Sequence, residues 1–129
     1  MNKIIVEVSV GELLDKISIL EIKQDKIKDP DKLIFIKKEY SILKEQLDNK
    51  VKSNDEVNKL YKLLKEINSK LWVIEDDKRL CEKEKRFDER FIKLSRDVHF
   101  LNDERARIKL DINIHSGSKI REIKEYKKY

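Results

Sequence analysis

Two glycines and one proline are all that this chain of 129 residues has for tight turns. A sheet of many strands needs such a turn at each reversal, and those turns draw heavily on Gly, Asn-Gly and Pro. An all-β fold is therefore excluded. What remains is a choice between long solvated helices and a disordered chain, because 44% of the residues are charged and 39% hydrophobic, a composition that suits either. Periodicity decides it. Apolar residues recur at three-and-four spacing along most of the chain, the pattern of helices that each bury one stripe. The length suits a single domain with a modest core.

Ile4 to Val10, IIVEVSV, is β-branched and partly alternating, so residues 1–10 read as a short strand or an extended arm. No second strand is evident, and the arm is expected to pair with its copy in another subunit or to lie over the helices. Ser9 and Glu12 then make a capping box, in which each side chain meets the other's free backbone N–H. From there Val10, Leu13, Leu14, Ile17, Leu20 and Ile27 form one stripe and Ile19 and Ile22 widen it. A helix over 10–28, buried on two sides and so central, is expected. Asp29 and Pro30 end it and start a second helix, 30–48, with Leu33, Ile36, Tyr40, Leu43 and Leu47 as its seam.

Two longer helices follow. One covers 55–86 with Val57, Leu60, Leu64, Ile67, Leu71 and Ile74 as its seam, the other 88–114 with Phe91, Leu94, Val98, Leu101, Ile108 and Ile112. Each spans about 40 Å. HSGS, residues 115–118, breaks the pattern before a short basic helix at 118–127 that carries Ile120, Ile123 and Tyr126. The expected fold is all-α, an antiparallel bundle of about four helices in one domain over 1–129. Helices this long on so small a chain also imply a homo-oligomer that covers their flanks.

Charge excludes more than it proposes. The net +5 is a small excess of 31 basic over 26 acidic residues, interspersed rather than blocked, which does not favour nucleic acid. The basic segment KIREIKEYKKY is more simply a packing or frayed end. A lone Cys81 forms no intramolecular disulfide, and with two His it leaves no zinc set. It lies between Leu80 and Glu82 without a placed His and reads as a small core residue. No apolar run approaches the roughly 20 residues of a membrane span, and the N-terminus lacks the features of a signal peptide. A soluble, cytoplasmic protein with no membrane partner is expected, in the host cytoplasm if phage-encoded.

The stretch LWVIEDDKRLCEKE, residues 71–84, starts as an apolar seam and then fills with charge without a helix breaker. Asn68, Trp72, Glu75, Arg79, Glu82 and Arg86 fall on one polar stripe beside the seam. The last long helix repeats the construction with Asp88, Ser95, His99, Asn102, Lys109 and Asn113, while Arg105 takes a slot in the apolar seam itself. The simplest reading is a set of solvated ion pairs, each contributing about 0.2–0.5 kcal/mol. The sharper one is a pocket: Arg79, Arg105 and Lys109 around a cavity, Glu75, Glu82 and Asp103 holding their heads in place, and Trp72 as a flat wall. Guanidinium forks suit phosphate or carboxylate, and an aromatic face beside them suits a base or sugar ring. Asp15, Lys16 and Lys23 on the first helix complete the cluster if they point inward.

Four segments, EVSVGELLDKISILEIK (7–23), DPDKL (29–33), LWVIEDD with the following FDERFIKL (71–94) and LNDERARIK (101–109), resemble a family of short bacterial and phage proteins of uncharacterised function. Its bacterial members often lie near genes for surface-polysaccharide glycosyltransferases. The resemblance covers most of the chain and implies no activity. It implies that Gly11, Glu12, Asp15, Lys16, Glu21, Lys23, Glu75, Asp76, Arg79, Asp88, Arg96, Asn102, Asp103, Arg105 and Lys109 belong to a recurring pattern. The chain departs from that pattern at VHF, Val98 to Phe100, where a Tyr is more typical.

The function expected from these residues is that of a small oligomeric binding protein. Its ligand is a phosphorylated small molecule, such as a nucleotide, a cyclic nucleotide signal or a nucleotide-sugar, and one variant is a phage-type sponge that sequesters a nucleotide signal. The ligand-binding candidates are Lys16, Lys23, Trp72, Glu75, Arg79, Asn102, Asp103, Arg105 and Lys109, with no metal and no cofactor. One alternative is a magnesium-dependent all-α nucleotide pyrophosphohydrolase-like enzyme, with Glu75, Asp76, Asp77, Glu82 and Asp103 as metal carboxylates. Another is a coiled-coil adaptor or structural protein whose seams serve a partner helix.

Overall fold

The computed structural model describes residues 2–128. It contains four helices, α1 (Val10–Lys26), α2 (Pro30–Lys50), α3 (Asp55–Lys83) and α4 (Glu89–Ser116), and no strand forms among the described residues. Local chemistry accounts for the helix starts. Ser9 Oγ accepts from the Glu12 N–H at 3.1 Å, Asp29 from the Asp31 N–H at 3.0 Å with Pro30 at the first position, and Asn54 from the Glu56 and Val57 N–H groups at 2.9 and 3.2 Å. Asp88 stands before α4 without a side-chain cap bond.

Leu14, Val57, Leu64, Ile67, Ile108 and Ile112 form the core, flanked by Val10, Leu47, Leu60, Tyr61, Leu71 and Leu101. Leu64 and Ile112 are fully shielded from water, and burying such a side chain stabilises the fold by about 1.5–3 kcal/mol. α3 and α4 make an antiparallel hairpin, turned at Lys85 (φ 55°) with the Arg86 N–H bonded to the Cys81 carbonyl at 2.8 Å. α1 packs on all three other helices, whereas the α2 backbone comes close to α1 alone.

These contacts answer the question set by residues 71–84. α1 crosses the α3–α4 hairpin rather than running along it: Gly11 meets Asn113 at its start and Glu21 meets Tyr61 further on, both on the side away from the turn. Its hydrogen bonds to the hairpin reach Asn68 and Arg105 and go no further toward the turn. Beyond that level α3 and α4 have mainly each other, so one narrow seam stays buried, with Cys81 and Leu94 in it, and the remaining faces meet water. Charge there is the consequence of a hairpin that continues past the place where α1 crosses it.

At the chain ends one expectation is corrected and another is narrowed. The short basic helix at 118–127 does not form: residues 118–128 carry no helix, and Ile123 and Tyr126 stand 78% and 69% exposed. Ten residues with three apolar ones cannot nucleate a helix without a surface to bury them, since isolated helices under about 12–15 residues are marginal. Of the two N-terminal readings, strand or extended arm, the strand does not form, and residues 2–9 carry no regular structure. Ile4 and Ile5 are 87% and 81% exposed, because a strand needs a partner to satisfy its backbone and none lies alongside among the described residues. Met1 lies outside the described residues.

Candidate functional site

Asp15 lies at the centre of the polar chemistry. It is 2% exposed, and a carboxylate so placed needs partners on every lone pair. Arg105 supplies two, its Nε to Oδ1 at 3.0 Å and its Nη2 to Oδ2, a bidentate fork. Asn68 from α3 donates through Nδ2 to Asp15 Oδ1 at 2.9 Å and to Ser18 Oγ at 2.8 Å, and the Ser18 hydroxyl donates to the Asp15 carbonyl at 2.7 Å. Lys109 Nζ lies 3.6 Å from Asp15 Oδ2, 2.7 Å from Glu12 Oε2 and 3.4 Å from Glu122 Oε2. Among the described residues no buried side-chain N or O atom is left without a partner.

The spacing that builds this is simple. Arg105, Lys109 and Asn113 are successive turns on one face of α4, and Gly11, Glu12, Asp15 and Ser18 face them from α1. The helices approach so closely that the Gly11 N–H donates to Asn113 Oδ1 at 2.7 Å. A Cβ at Gly11 would stand 2.5 Å from the Lys109 carbonyl oxygen and 2.9 Å from Asn113 Oδ1. Only glycine fits there.

Ionisation follows the geometry. Burial pushes the Asp15 carboxyl up, but the hydrogen bonds from Arg105 and Asn68 and the charges of Arg105 and Lys109 outweigh it and hold it below the usual carboxylate value. Burial pulls the Lys109 ammonium down, and the bond to Glu12 with the charges of Asp15, Glu12 and Glu122 more than restores it. For Arg105, the bond to Asp15 outweighs burial and keeps the guanidinium firmly charged.

Next to the cluster, Lys109 also lines an open crevice. It has a volume of about 250 Å³ and runs between α4, the N-cap of α1 and the C-terminal segment, lined by Ser9, Arg107, Lys109, Asn113, Glu122 and Lys124. Ser118 ties that segment down, its Oγ accepting from the Val10 N–H at 3.2 Å. Glu122 then sets its carboxylate on Lys109. Glu122 is therefore the only acidic side chain lining a crevice with three basic ones.

The structure divides the residues singled out in the sequence. Arg105 and Lys109 converge on Asp15, and Asn102 joins them through Arg105 Nη1 at 3.4 Å. Asp103 is half-buried on α4. Lys16 is exposed, 3.8 Å from Glu12, and Lys23 is half-buried near the end of α1. Trp72 is half-buried, while Glu75 and Arg79 are exposed on α3. Arg79 stands about 16 Å further along α3 than Asn68, so it does not share a cavity with Arg105 and Lys109. The carboxylates of the magnesium alternative are not assembled: among the described residues no three or more His, Cys, Asp or Glu side chains gather as metal donors.

Sequence reasoning missed Ser18, whose hydroxyl looks ordinary on a helix, and Glu122, which arrives from a segment without periodicity. It also gave Glu12 the wrong task. The Ser9 half of the capping box forms, but the Glu12 carboxylate is on Lys109. No helix among the described residues is long and apolar enough to cross a membrane.

A family of unknown function (DUF6165) matches residues 4–129. No curated protein and no solved structure matches the chain.

Proposed function

The chain belongs to the DUF6165 family, whose function is unknown, and from the geometry of its own residues we propose that it is a small binding protein for a phosphorylated small molecule. The ligand's phosphate sits in the crevice over Lys109. A nucleotide, a cyclic nucleotide signal and a nucleotide-sugar all offer the anionic oxygens such a place takes. Sequestration of a signalling nucleotide needs nothing beyond such a site.

One observation carries the proposal. Beside the Glu12 and Asp15 carboxylates of the network, Lys109 carries a third, and it comes from Glu122 in a segment without regular structure. Glu122 is 48% exposed, so its hold is that of a screened surface contact. A phosphate oxygen in its place would meet the Lys109 ammonium and the Arg107 and Lys124 side chains lining the same crevice. Arg105 plays a different part, because its fork is committed to Asp15 and so fixes the helix that presents Lys109.

The test is isothermal titration of the full chain against inorganic pyrophosphate, nucleotides and nucleotide-sugars. Binding is expected to weaken at least tenfold in the Arg107→Ala/Lys124→Ala double variant, which leaves the buried network intact. Glu122→Gln removes the internal competitor and is expected to tighten binding several-fold. No heat with any anion, in the wild type and in Glu122→Gln alike, rejects the proposal.

The adaptor reading has its own support in the large apolar side chains left in water along the distal hairpin, among them Val73, Leu80 and Ile92 at 48%, 50% and 55% exposure. Self-association through these faces belongs to the same proposal, since a binding protein of this size gains rigidity from a second copy.

A further inference from the structure

On the other side of α1 lies a second site of different chemistry. Because the α2 backbone comes close to α1 but not to α3, a trough opens between α2 and the start of α3, with α1 as its floor. It has a volume of about 330 Å³, within the usual range of small-molecule pockets. Leu14, Ile17, Leu47 and Val57 give it an apolar bed, and Tyr40 and Tyr61 line it from facing helices.

Glu21 lies within it. Its Oε1 accepts a short bond from the Tyr61 hydroxyl and its Oε2 one from the Tyr40 hydroxyl at 3.4 Å, while Lys65 Nζ stands 3.6 Å away. Burial and the Glu21 carboxylate push the Tyr61 phenol up, and Tyr40 moves the same way, so both rings stay neutral donors. A carboxylate flanked by two neutral phenols is a place for an ammonium group, held by charge. The protein's own Lys65 already sets one there. Its side chain is 38% exposed and flexible, so it can leave.

A second carboxylate lines the same trough. Asp48 stands two turns beyond Tyr40 on α2, about 12 Å along the helix, paired only with the exposed Lys44 at 3.3 Å. An i,i+4 surface pair of this kind is easily exchanged. Lys44 and Lys52 line the trough as well, so an incoming ammonium group displaces the Lys44 head from Asp48; with that exchange, two separated carboxylates beside an apolar and aromatic bed match a linear aliphatic chain carrying ammonium groups at both ends. We propose that this trough binds a polyamine, one terminal ammonium on Glu21 between Tyr40 and Tyr61 and the other on Asp48. The net charge of +5 disfavours loose attraction of a polycation to the protein as a whole, so binding would report the trough itself.

Titration calorimetry of the full chain with spermidine, putrescine and n-butylamine at low ionic strength tests this. Spermidine, longer than putrescine by an aminopropyl unit, is expected to bind at least tenfold more tightly than the monoamine. Glu21→Gln is expected to weaken spermidine at least tenfold, Asp48→Asn to bring it down to the level of putrescine, and Lys65→Met to tighten it several-fold. Far-ultraviolet circular dichroism checks the fold of each variant; if Glu21→Gln loses helicity, the Asp48 and Lys65 variants, both altered at solvent-accessible pairs, decide the matter alone. Equal affinity for spermidine and n-butylamine, or no heat with spermidine in both the wild type and Lys65→Met, overturns the assignment.

Discussion

Gly11 and Asp15 set the closeness and the charge of the α1–α4 contact. The Gly11→Ala methyl would run into the Lys109 backbone, which cannot swing aside as a side-chain tip would. The expected loss is about 1–3 kcal/mol from overpacking, seen as a lower thermal midpoint by circular dichroism. Asp15 gives a pH dependence with a definite sign. Its folded-state carboxyl lies below the ordinary value, so the unfolded chain binds the proton first and the contribution is complete above the unfolded value of about 3.9. It is lost as pH falls from there through the depressed folded value. Acid unfolding followed from pH 6 to 2 is therefore expected to steepen below about pH 4, and Asp15→Asn is expected to flatten that limb while lowering stability at neutral pH. Part of this was legible: Arg105 interrupting an apolar seam is a signal that a charge goes inside, and Arg105 did find a buried partner. The partner itself was not legible. Asp15 and Lys16 look alike in spacing beside Ile19, yet one is buried and the other exposed, because a difference of one residue in helix phase decides which faces α4.

Helix starts, being made from neighbouring residues, are the elements a sequence states most directly. Ser9, Asp29 with Pro30, and Asn54 each cap the helix that follows. Asn54 also bridges elements, its Nδ2 donating to the His115 carbonyl at 3.3 Å. The C-terminal segment went the other way because a three-residue apolar pattern specifies a helix only where a surface receives it, and Ser118 and Glu122 tie the segment to Val10 and Lys109 without regular structure instead. Gly117 marks that change of course with a left-handed φ of 69°. A Cβ there meets no atom within 4 Å, so Gly117→Ala isolates the backbone penalty, about 1–2 kcal/mol. Its expected signature is a modest drop in thermal midpoint together with altered amide shifts at Ser118 and Val10, which share the Oγ bond, measured by two-dimensional NMR.

At the scale of the whole molecule the question is how evenly the hairpin is held. Its proximal half, around Leu64, Asn68, Arg105 and Ile112, is buried against α1 and tied to it by the Asp15 network, whereas its distal half has one narrow seam and outward apolar groups such as Leu80 and Ile92. Local opening follows buried contacts and shielded hydrogen bonds. Amide hydrogen exchange is therefore expected to be slower by at least tenfold in residues 60–68 and 105–113 than in residues 76–82 and 90–97. The long, charged second half of α3 was legible in the sequence as a pattern but not as a cause, since where α1 crosses the hairpin is a property of the packing and not of any one segment. The same measurement bears on self-association. A second copy that covers the distal faces binds the folded hairpin and not the opened one, so it adds protection by mass action. Raising the protein concentration tenfold is then expected to slow exchange at residues 76–82 and 90–97 and to leave the Asp15 region unchanged, with Leu80→Glu removing the concentration dependence. Distal protection that stays constant across that range would mean that these helices work as a solvated two-helix arm, and that any partner for their apolar stripe is a different molecule.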